Sequence, residues 1–288
     1  MGDHRGILLP AAVDTKFTMR RIAAAPDLAP FVERFWIIRW QLDEPYQQET
    51  LPNPCVNLVI GTHQPGLFGP MRRRFVAELR GRGGVIGTKF TPAGFRAFYR
   101  RPLVELVDRS RPVAQALRGG GELVATIERL AHDDAARIAV LEEFLRELGP
   151  AADATIGQVN EIVELARAEP TITRVDELGA RVALPRRSLE RLFREYVGLA
   201  PKWVIQRFRV HEAAERVAGG ATVEWAELAN ALGYCDQAHF IRSFKAQIGK
   251  TPAQYAAACA ELASAARPSA APDARSAEAA HAPDAPSA

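Results

Sequence analysis

Apolar residues change rhythm along this chain. Between residues 113 and 169 they recur by threes and fours: Leu123, Val124, Ile127 and Leu130, then Ile138, Leu141, Leu145 and Leu148, then Ile156, Val159, Ile162, Val163 and Leu165. That spacing predicts amphipathic helices, broken at Gly149-Pro150 and Glu169-Pro170. Upstream, Pro and Gly come at short intervals between aromatic and β-branched runs at 35–40, 56–60, 75–79 and 84–87. Short strands between turn signals predict a small β-sandwich or barrel, with residues 28–34 as a short helix before it.

From residue 171 onward the helical signal returns in duplicate. Residues 175–193 and 225–244 each offer a short amphipathic helix, a turn and a second helix. In the first copy Pro185 suits the start of the second helix, Leu189, Leu192 and Phe193 form its buried stripe, and Arg186, Arg187, Glu190, Arg191 and Arg194 lie opposite. In the second, Asp236 is the expected N-cap and Phe240 and Phe244 are buried, while Gln237, Ala238, His239 and Arg242 face outward. This is helix-turn-helix grammar, in which the second helix carries long polar side chains into the major groove. An Arg-rich helix face alone is most often a solvated surface; its duplication favours nucleic acid. Residues 201–217 predict a helix ~25 Å long, a strut able to hold two reading heads near the ~34 Å between successive major-groove segments.

Length and charge sharpen this division. A chain of 288 residues with 48% apolar and 25% charged residues is long enough for two folded units. No apolar run approaches the ~18 residues of a membrane span, and the first residues do not make a secretory signal, so a cytoplasmic location is expected. The total charge of +3 is a cancellation: residues 1–110 carry a net +6, residues 111–165 a net −5, residues 166–255 a net +4 and the remainder a net −2. The reading is an α+β chain of two domains: a β-rich unit over 1–110, a helical connector over 111–170 and a double helix-turn-helix over 171–258. Residues 263–288, poor in large apolar side chains, are expected to be a disordered tail.

Phe193-Arg194-Glu195-Tyr196-Val197-Gly198-Leu199-Ala200-Pro201 and Phe244-Lys245-Ala246-Gln247-Ile248-Gly249-Lys250-Thr251-Pro252 resemble the paired F-K/R-x-x-x-G-x-x-P endings of AraC/XylS-type transcriptional regulators. Residues 232–244 are similar to that family's second helix-turn-helix almost position for position. The resemblance implies a seven-helix DNA-binding domain, with Arg187, Glu190, Arg191, Gln237, Ala238, His239 and Arg242 at base-contacting places. Arg suits guanine and Gln suits adenine, whereas Arg186, Arg194, Lys202 and Lys245 are placed for the phosphate backbone. One departure lies in the first turn, where Ala183 and Pro185 stand in place of the usual glycine and Ser/Thr cap. Alanine at positive φ costs energy, so a differently shaped first turn is expected there, while Gly233 keeps the second.

Phe35-Trp36, residues 51–59 and residues 85–95 resemble, more weakly, an uncharacterised sensor-like domain that precedes this DNA-binding domain in many bacterial regulators. That implies a cupin-like β-fold under the control of a small molecule or other signal, with Trp36, Trp40, Phe95 and Phe98 as candidates to line a ligand pocket. Double-stranded promoter DNA is the expected partner, with a small-molecule effector, RNA polymerase and a second copy of the chain as further ones, and no membrane.

No metal or cofactor is expected. His4 and His63 are too far apart to seed a cupin metal site, and Cys55, Cys235 and Cys259 form neither a disulfide framework nor a CxxC pair. Gly81-Arg82-Gly83-Gly84 reads as a β-turn rather than a phosphate loop, because no helix follows. Arg72-Arg73-Arg74 reads as a solvated loop. Two rivals compete with a non-enzymatic regulator. One is a DNA-binding protein with an enzymatic N-terminal domain, by alkyl transfer to Cys55 or modification of a small molecule; the other is a protein-interaction module.

Overall fold

The computed structural model describes residues 6–62, 65–130, 132–151, 153–219 and 224–265. Its strands are β1 (Thr18–Ile22), β2 (Val32–Thr50), β3 (Asn57–Gly61), β4 (Gly66–Phe68), β5 (Phe75–Phe90) and β6 (Ser110–Pro112). Its α-helices are α1 (Arg96–Tyr99), α2 (Val113–Ala116), α3 (Gly120–Arg129), α4 (Asp134–Glu147), α5 (Ala154–Ala168), α6 (Val175–Arg181), α7 (Arg186–Leu192), α8 (Pro201–Ala218), α9 (Trp225–Ala231), α10 (Gln237–Ile248) and α11 (Pro252–Ala265). The class is α+β, a β-rich N-terminal region followed by a helical C-terminal one.

The described strands form one antiparallel sheet in the order β1-β2-β5-β3-β4-β6, with β1 and β6 as its edges. The expected β-rich unit is thus built, among the described residues, on a single sheet. The second layer is helical: Leu58, Ile86 and Phe90 from the sheet share a core with Leu123, Ile127, Leu141 and Leu145 from α3 and α4. Burying each such side chain contributes ~1.5–3 kcal/mol, so a sheet can close its core with helices as readily as with a second sheet.

The spine of the sheet is the long pairing of β2 with β5, from Val32 opposite Phe90 to Thr50 opposite Phe75. Its register shifts between Leu42 and Tyr46, where Pro45 has no N–H to give the ladder. Residues 75–79 and 84–87 are therefore one strand, and the β-turn expected at Gly81 is absent from it. The glycines serve a different purpose. Gly87 lies opposite Trp36 and Gly83 opposite Trp40, and a Cβ on either would stand 2.1 Å and 2.3 Å from the facing indole. The glycine-rich stretch is a bed for two tryptophan rings.

The helix expected over 28–34 is a pair of turns before β2, with Ala29 N bonded to Ala25 O and Val32 N to Leu28 O. Pro30 interrupts any longer ladder by lacking an N–H. The helices of residues 111–170 do not stand apart as a layer of their own. Whereas α3 and α4 cover the sheet, α5 places Ile156, Val159, Ile162, Val163 and Ala166 in a second core with Leu178, Leu189, Phe193 and Val204. Arg209 of α8, almost wholly buried, donates to the carbonyls of Ala166 and Glu169 and so closes the C-terminal end of α5. Among the described residues six α-helices, α6 to α11, begin within the expected domain of residues 171–258, and α5, from before it, packs with them as a seventh. At the other end α11 extends to Ala265, into the stretch expected as tail; residues 266–288, like His4 and His63, lie outside the described residues.

Candidate nucleic-acid interface

Both duplicated segments fold as helix, turn and helix. In the first, α6 begins at a capping box in which the Glu177 carboxylate accepts from the backbone N–H groups of Thr173 and Arg174 at 2.8 and 3.0 Å. Those bonds hold the Glu177 carboxyl below its usual range. The turn then passes through Ala183 at φ +53° and closes with Leu184 N on Gly179 O at 3.0 Å. In the second, Gly233 takes φ +74° and Tyr234 N bonds Ala229 O at 2.9 Å. The two turns share one hydrogen-bond pattern, which corrects the expectation of a differently shaped first turn. The strain of an alanine in the left-handed region, ~1–2 kcal/mol, is small beside the core that Leu189 and Phe193 complete.

The recognition helices differ more at their starts. Pro185 is the N-cap of α7, one place before the position expected, and offers no side-chain cap. Asp236 caps α10 as expected, its Oδ1 accepting from His239 N at 2.6 Å. Leu189, Phe193, Phe240 and Phe244 are fully buried, while Leu192 is half-buried against the same core. Arg187, Glu190 and Arg191 on α7, and Gln237, Ala238 and Arg242 on α10, are all exposed; His239 is half-buried edge-on to Tyr234. Arg186, Arg194, Lys202 and Lys245 are exposed as well. Arg186 and Glu190 are joined by an ion pair at 3.0 Å, with Asp176 3.9 Å from Arg186. Arg186 thus carries a carboxylate partner that a phosphate would have to displace.

Helix α8 joins the two units as the expected strut, 18 residues or ~27 Å long, with Pro201 in its first turn. Each unit leaves its recognition helix through a left-handed glycine, Gly198 at φ +85° and Gly249 at φ +86°. These exits are where the N-terminal region docks. A Cβ on Gly198 would meet the Leu103 carbonyl at 2.8 Å, and one on Gly249 would meet Arg74 Nη1 at 1.2 Å.

Sequence reasoning missed the residues that make this contact. Arg74 Nη1 donates to Ile248 O, at the C-terminal end of α10, at 2.9 Å. Beside it Lys250 reaches Glu49 at 3.4 Å. Arg207 of α8, fully buried with its guanidinium 4.4 Å from the Trp203 ring centroid, donates to Arg72 O at 2.6 Å. Burial pulls the Arg207 guanidinium below its usual range. Arg72 in turn holds Asp108 through its backbone N–H and its Nε at 2.7 and 2.6 Å. Of the run Arg72-Arg73-Arg74, expected as a solvated loop, the Arg72 and Arg73 side chains are exposed, while the Arg72 carbonyl and the Arg74 guanidinium clasp the two halves. Three adjacent arginines were the only signal, and it did not distinguish solvent from a docked carbonyl.

The aromatic residues expected at a ligand pocket separate. Trp40 lines a cleft of about 760 Å³ at one end of the sheet. Phe95 packs against Phe90, Phe98 and Tyr99 in the sheet core, and Trp36 lies over Gly87. Cys55 is buried, and burial pushes its thiol up to about 11. Among the described residues there is no cluster of three or more potential metal ligands, and no helix is long and apolar enough to cross a membrane.

Comparison with known proteins bears on both halves. Residues 178–258 match the family model of a helix-turn-helix domain, and residues 20–112 that of a domain of unknown function, DUF6597. The chain is 26% identical over 119 residues to the Msm operon regulatory protein of Streptococcus mutans, a match covering 41% of this chain and 42% of that protein. It thus spans less than half the length of that relative. Among solved structures it is similar to an AraC-type DNA-binding-domain regulator from Chromobacterium violaceum, with 24% identity, TM-score 0.34, and coverage of 36% of this chain and 94% of the other. It is also similar to ToxT from Vibrio cholerae O395, with 11% identity, TM-score 0.38, and coverage of 85% and 98%. The duplicated helix-turn-helix coincides with its matching family model and defines the class, a protein with a double helix-turn-helix domain. The helix-turn-helix match thus lies at the C-terminal end of the chain and the domain of unknown function at its N-terminal end.

Proposed function

We propose that the protein binds specific promoter sequences through the exposed faces of α7 and α10 and regulates transcription in the cytoplasm in response to a signal received by its N-terminal domain. The observation that carries this reading is the pair of matched turns, each presenting an exposed polar helix face on opposite ends of one strut. Arg187, Glu190, Arg191, Gln237, Ala238, His239 and Arg242 read bases, and Arg186, Arg194, Lys202 and Lys245 hold phosphates. The Arg74 contact with the end of α10 supports signalling between the halves, because any shift of β5 moves a side chain bonded to that helix. The protein works without a cofactor and is not an enzyme. Alkyl transfer at Cys55 is disfavoured by a thiol protonated at neutral pH and shielded from any substrate. RNA polymerase and a second copy of the chain are the further partners this role calls for.

The test is selection of bound sequences from random DNA, followed by binding with Arg242→Ala. One site is expected to emerge, with affinity falling steeply as salt rises. Arg242→Ala is expected to lose ~1–3 kcal/mol at one base position. Purely non-specific binding by the wild type overturns the reading, and an equal loss on every sequence reassigns Arg242 to the backbone.

A further inference from the structure

Helix α8 carries two apolar stripes, one for each helix-turn-helix unit. Val204, Ile205 and Phe208 enter the core of the first unit with Leu189 and Phe193, whereas Val210, Ala213 and Val217 enter that of the second with Phe240 and Phe244. Among the described residues the two cores share no side chain. Apolar burial is non-directional, so it holds each unit to its own stretch of the strut and specifies their mutual setting only loosely. At the changeover between the stripes stands Arg209, 2% exposed.

The polar contacts at this boundary run from one unit to the other. Arg209 Nη2 donates to the carbonyls of Ala166 and Glu169, just before the first unit, and its Nη1 donates to Glu212 at 2.9 Å. Tyr234, in the turn of the second unit, lies within electrostatic reach of the same guanidinium. Its hydroxyl shares a hydrogen bond with Ser243 of α10 at 3.1 Å, and its ring meets those of His239 and Phe240 edge-on. A second bridge is steric. The Thr173 N–H and hydroxyl both donate to Glu177 at the start of α6, and its methyl packs on the second turn so closely that a Cβ on Gly233 would stand 2.3 Å from Thr173 Cγ2. Arg209 is a costly way to fill the space, since its Nε is buried without a hydrogen-bond partner. The best-attested use of such a buried charge is to select one geometry among several.

We propose that Arg209 and Thr173 are positioning residues that set the angle and separation of the two recognition helices, so that the protein accepts its two base-reading contacts at a single spacing along the duplex. Neither side chain touches a base. The inference rests on the proposed DNA binding for its consequence, whereas the fixed setting is a property of the free protein.

The site selected from random DNA would be lengthened or shortened by one base pair between the stretches read by α7 and α10. Each change moves one stretch ~3.4 Å along and ~35° around the duplex axis. Wild type is expected to bind either altered site at least ~tenfold more weakly. Arg209→Met is expected to reduce that ratio to a few-fold or less, with Arg209→Lys and Thr173→Ala in between. Loss of folded protein lowers affinity for all three sites alike, so the ratio separates positioning from stability. A second readout needs no DNA: spin labels on Arg187→Cys and Arg242→Cys, in a Cys235→Ser background that leaves only the buried Cys55 and Cys259, report the distance between the recognition helices. One narrow distance is expected, broadened by Arg209→Met. A wild type that binds all three sites within a few-fold overturns the proposal. So does a folded Arg209→Met whose ratio and label distance match the wild type, since α8 alone, or Arg74 acting on α10, would then hold the heads. If Arg209→Met does not fold, Arg209→Lys and Thr173→Ala decide by the same two readouts. If no specific site emerges from random DNA, the regulator reading fails and the label distances alone decide this one; a specific site without spacing preference sinks only the positioning role.

Discussion

The two helix-turn-helix units reach one geometry from different residues. At the turn the second unit has Gly233 and the first Ala183, yet both backbones enter the left-handed region and both close with the same hydrogen bond. At the recognition helix the second has a carboxylate cap and the first a proline that caps nothing. After it, α10 runs unbroken for 12 residues, whereas α7 ends after seven and continues as a π-helical turn over Phe193–Val197. At its turn and recognition helix the first unit is therefore held less by its local sequence and more by packing around Leu189 and Phe193, although α6 keeps a capping box that α9 lacks. Local rules can be broken where a core pins both ends of the segment.

The largest expected effects probe that core. Phe193→Ala and Phe244→Ala should each destabilise the protein by ~3–5 kcal/mol, read by urea denaturation. If the first unit depends more on packing, Phe193→Ala should also cost more of the binding at the DNA half contacted by α7 than Phe244→Ala costs at the other half; equal losses would remove the distinction. The next effects separate the turns. Gly233→Ala should lose at least ~1–2 kcal/mol, because the left-handed strain adds to a Cβ placed 2.3 Å from Thr173 Cγ2. Ala183→Gly should gain up to ~1 kcal/mol, relief of strain being partly offset by the added entropy of the unfolded chain. A stability loss in Ala183→Gly would show that the first turn is not strained. The smallest effect is at the caps: Asp236→Ala should cost ~1 kcal/mol, while Pro185→Ser should gain a few tenths by supplying the missing cap. These differences would appear as shifts in denaturation midpoint at unchanged slope.

The halves of the molecule were not equally legible. In the C-terminal half, periodicity located α6 to α10 and named the buried residues, because each helix packs its own stripe and each turn has its own chemistry. In the N-terminal half the strands at 35–40 and 56–60 were found, but the strand through Gly81 was missed. Glycines that read locally as a turn are there because indole rings from β2 lie across the strand. The helix expected over 28–34 failed for a local reason, the proline within it. Of the proposed interface, exposure of the polar faces followed from the stripes, whereas the Arg186–Glu190 pair and the half-burial of His239 did not.

Sequence alone determined the duplicated helix-turn-helix units, the strut between them, the capping role of Asp236 and the division into basic, acidic and basic stretches. All of these rest on residues within a few turns of one another, where periodicity and cap chemistry act. Tertiary structure decided that the sheet is covered by helices, that α5 joins the helix-turn-helix half, that Arg72 and Arg74 clasp the two halves, and that Arg20, Arg39 and Arg137 converge on one carboxylate. Those outcomes join residues up to 174 positions apart, as in the Arg74 bond to the Ile248 carbonyl. A guanidinium reads the same in sequence whether it meets water, a carbonyl or an anion; its burial and its partner are set only when distant segments pack together.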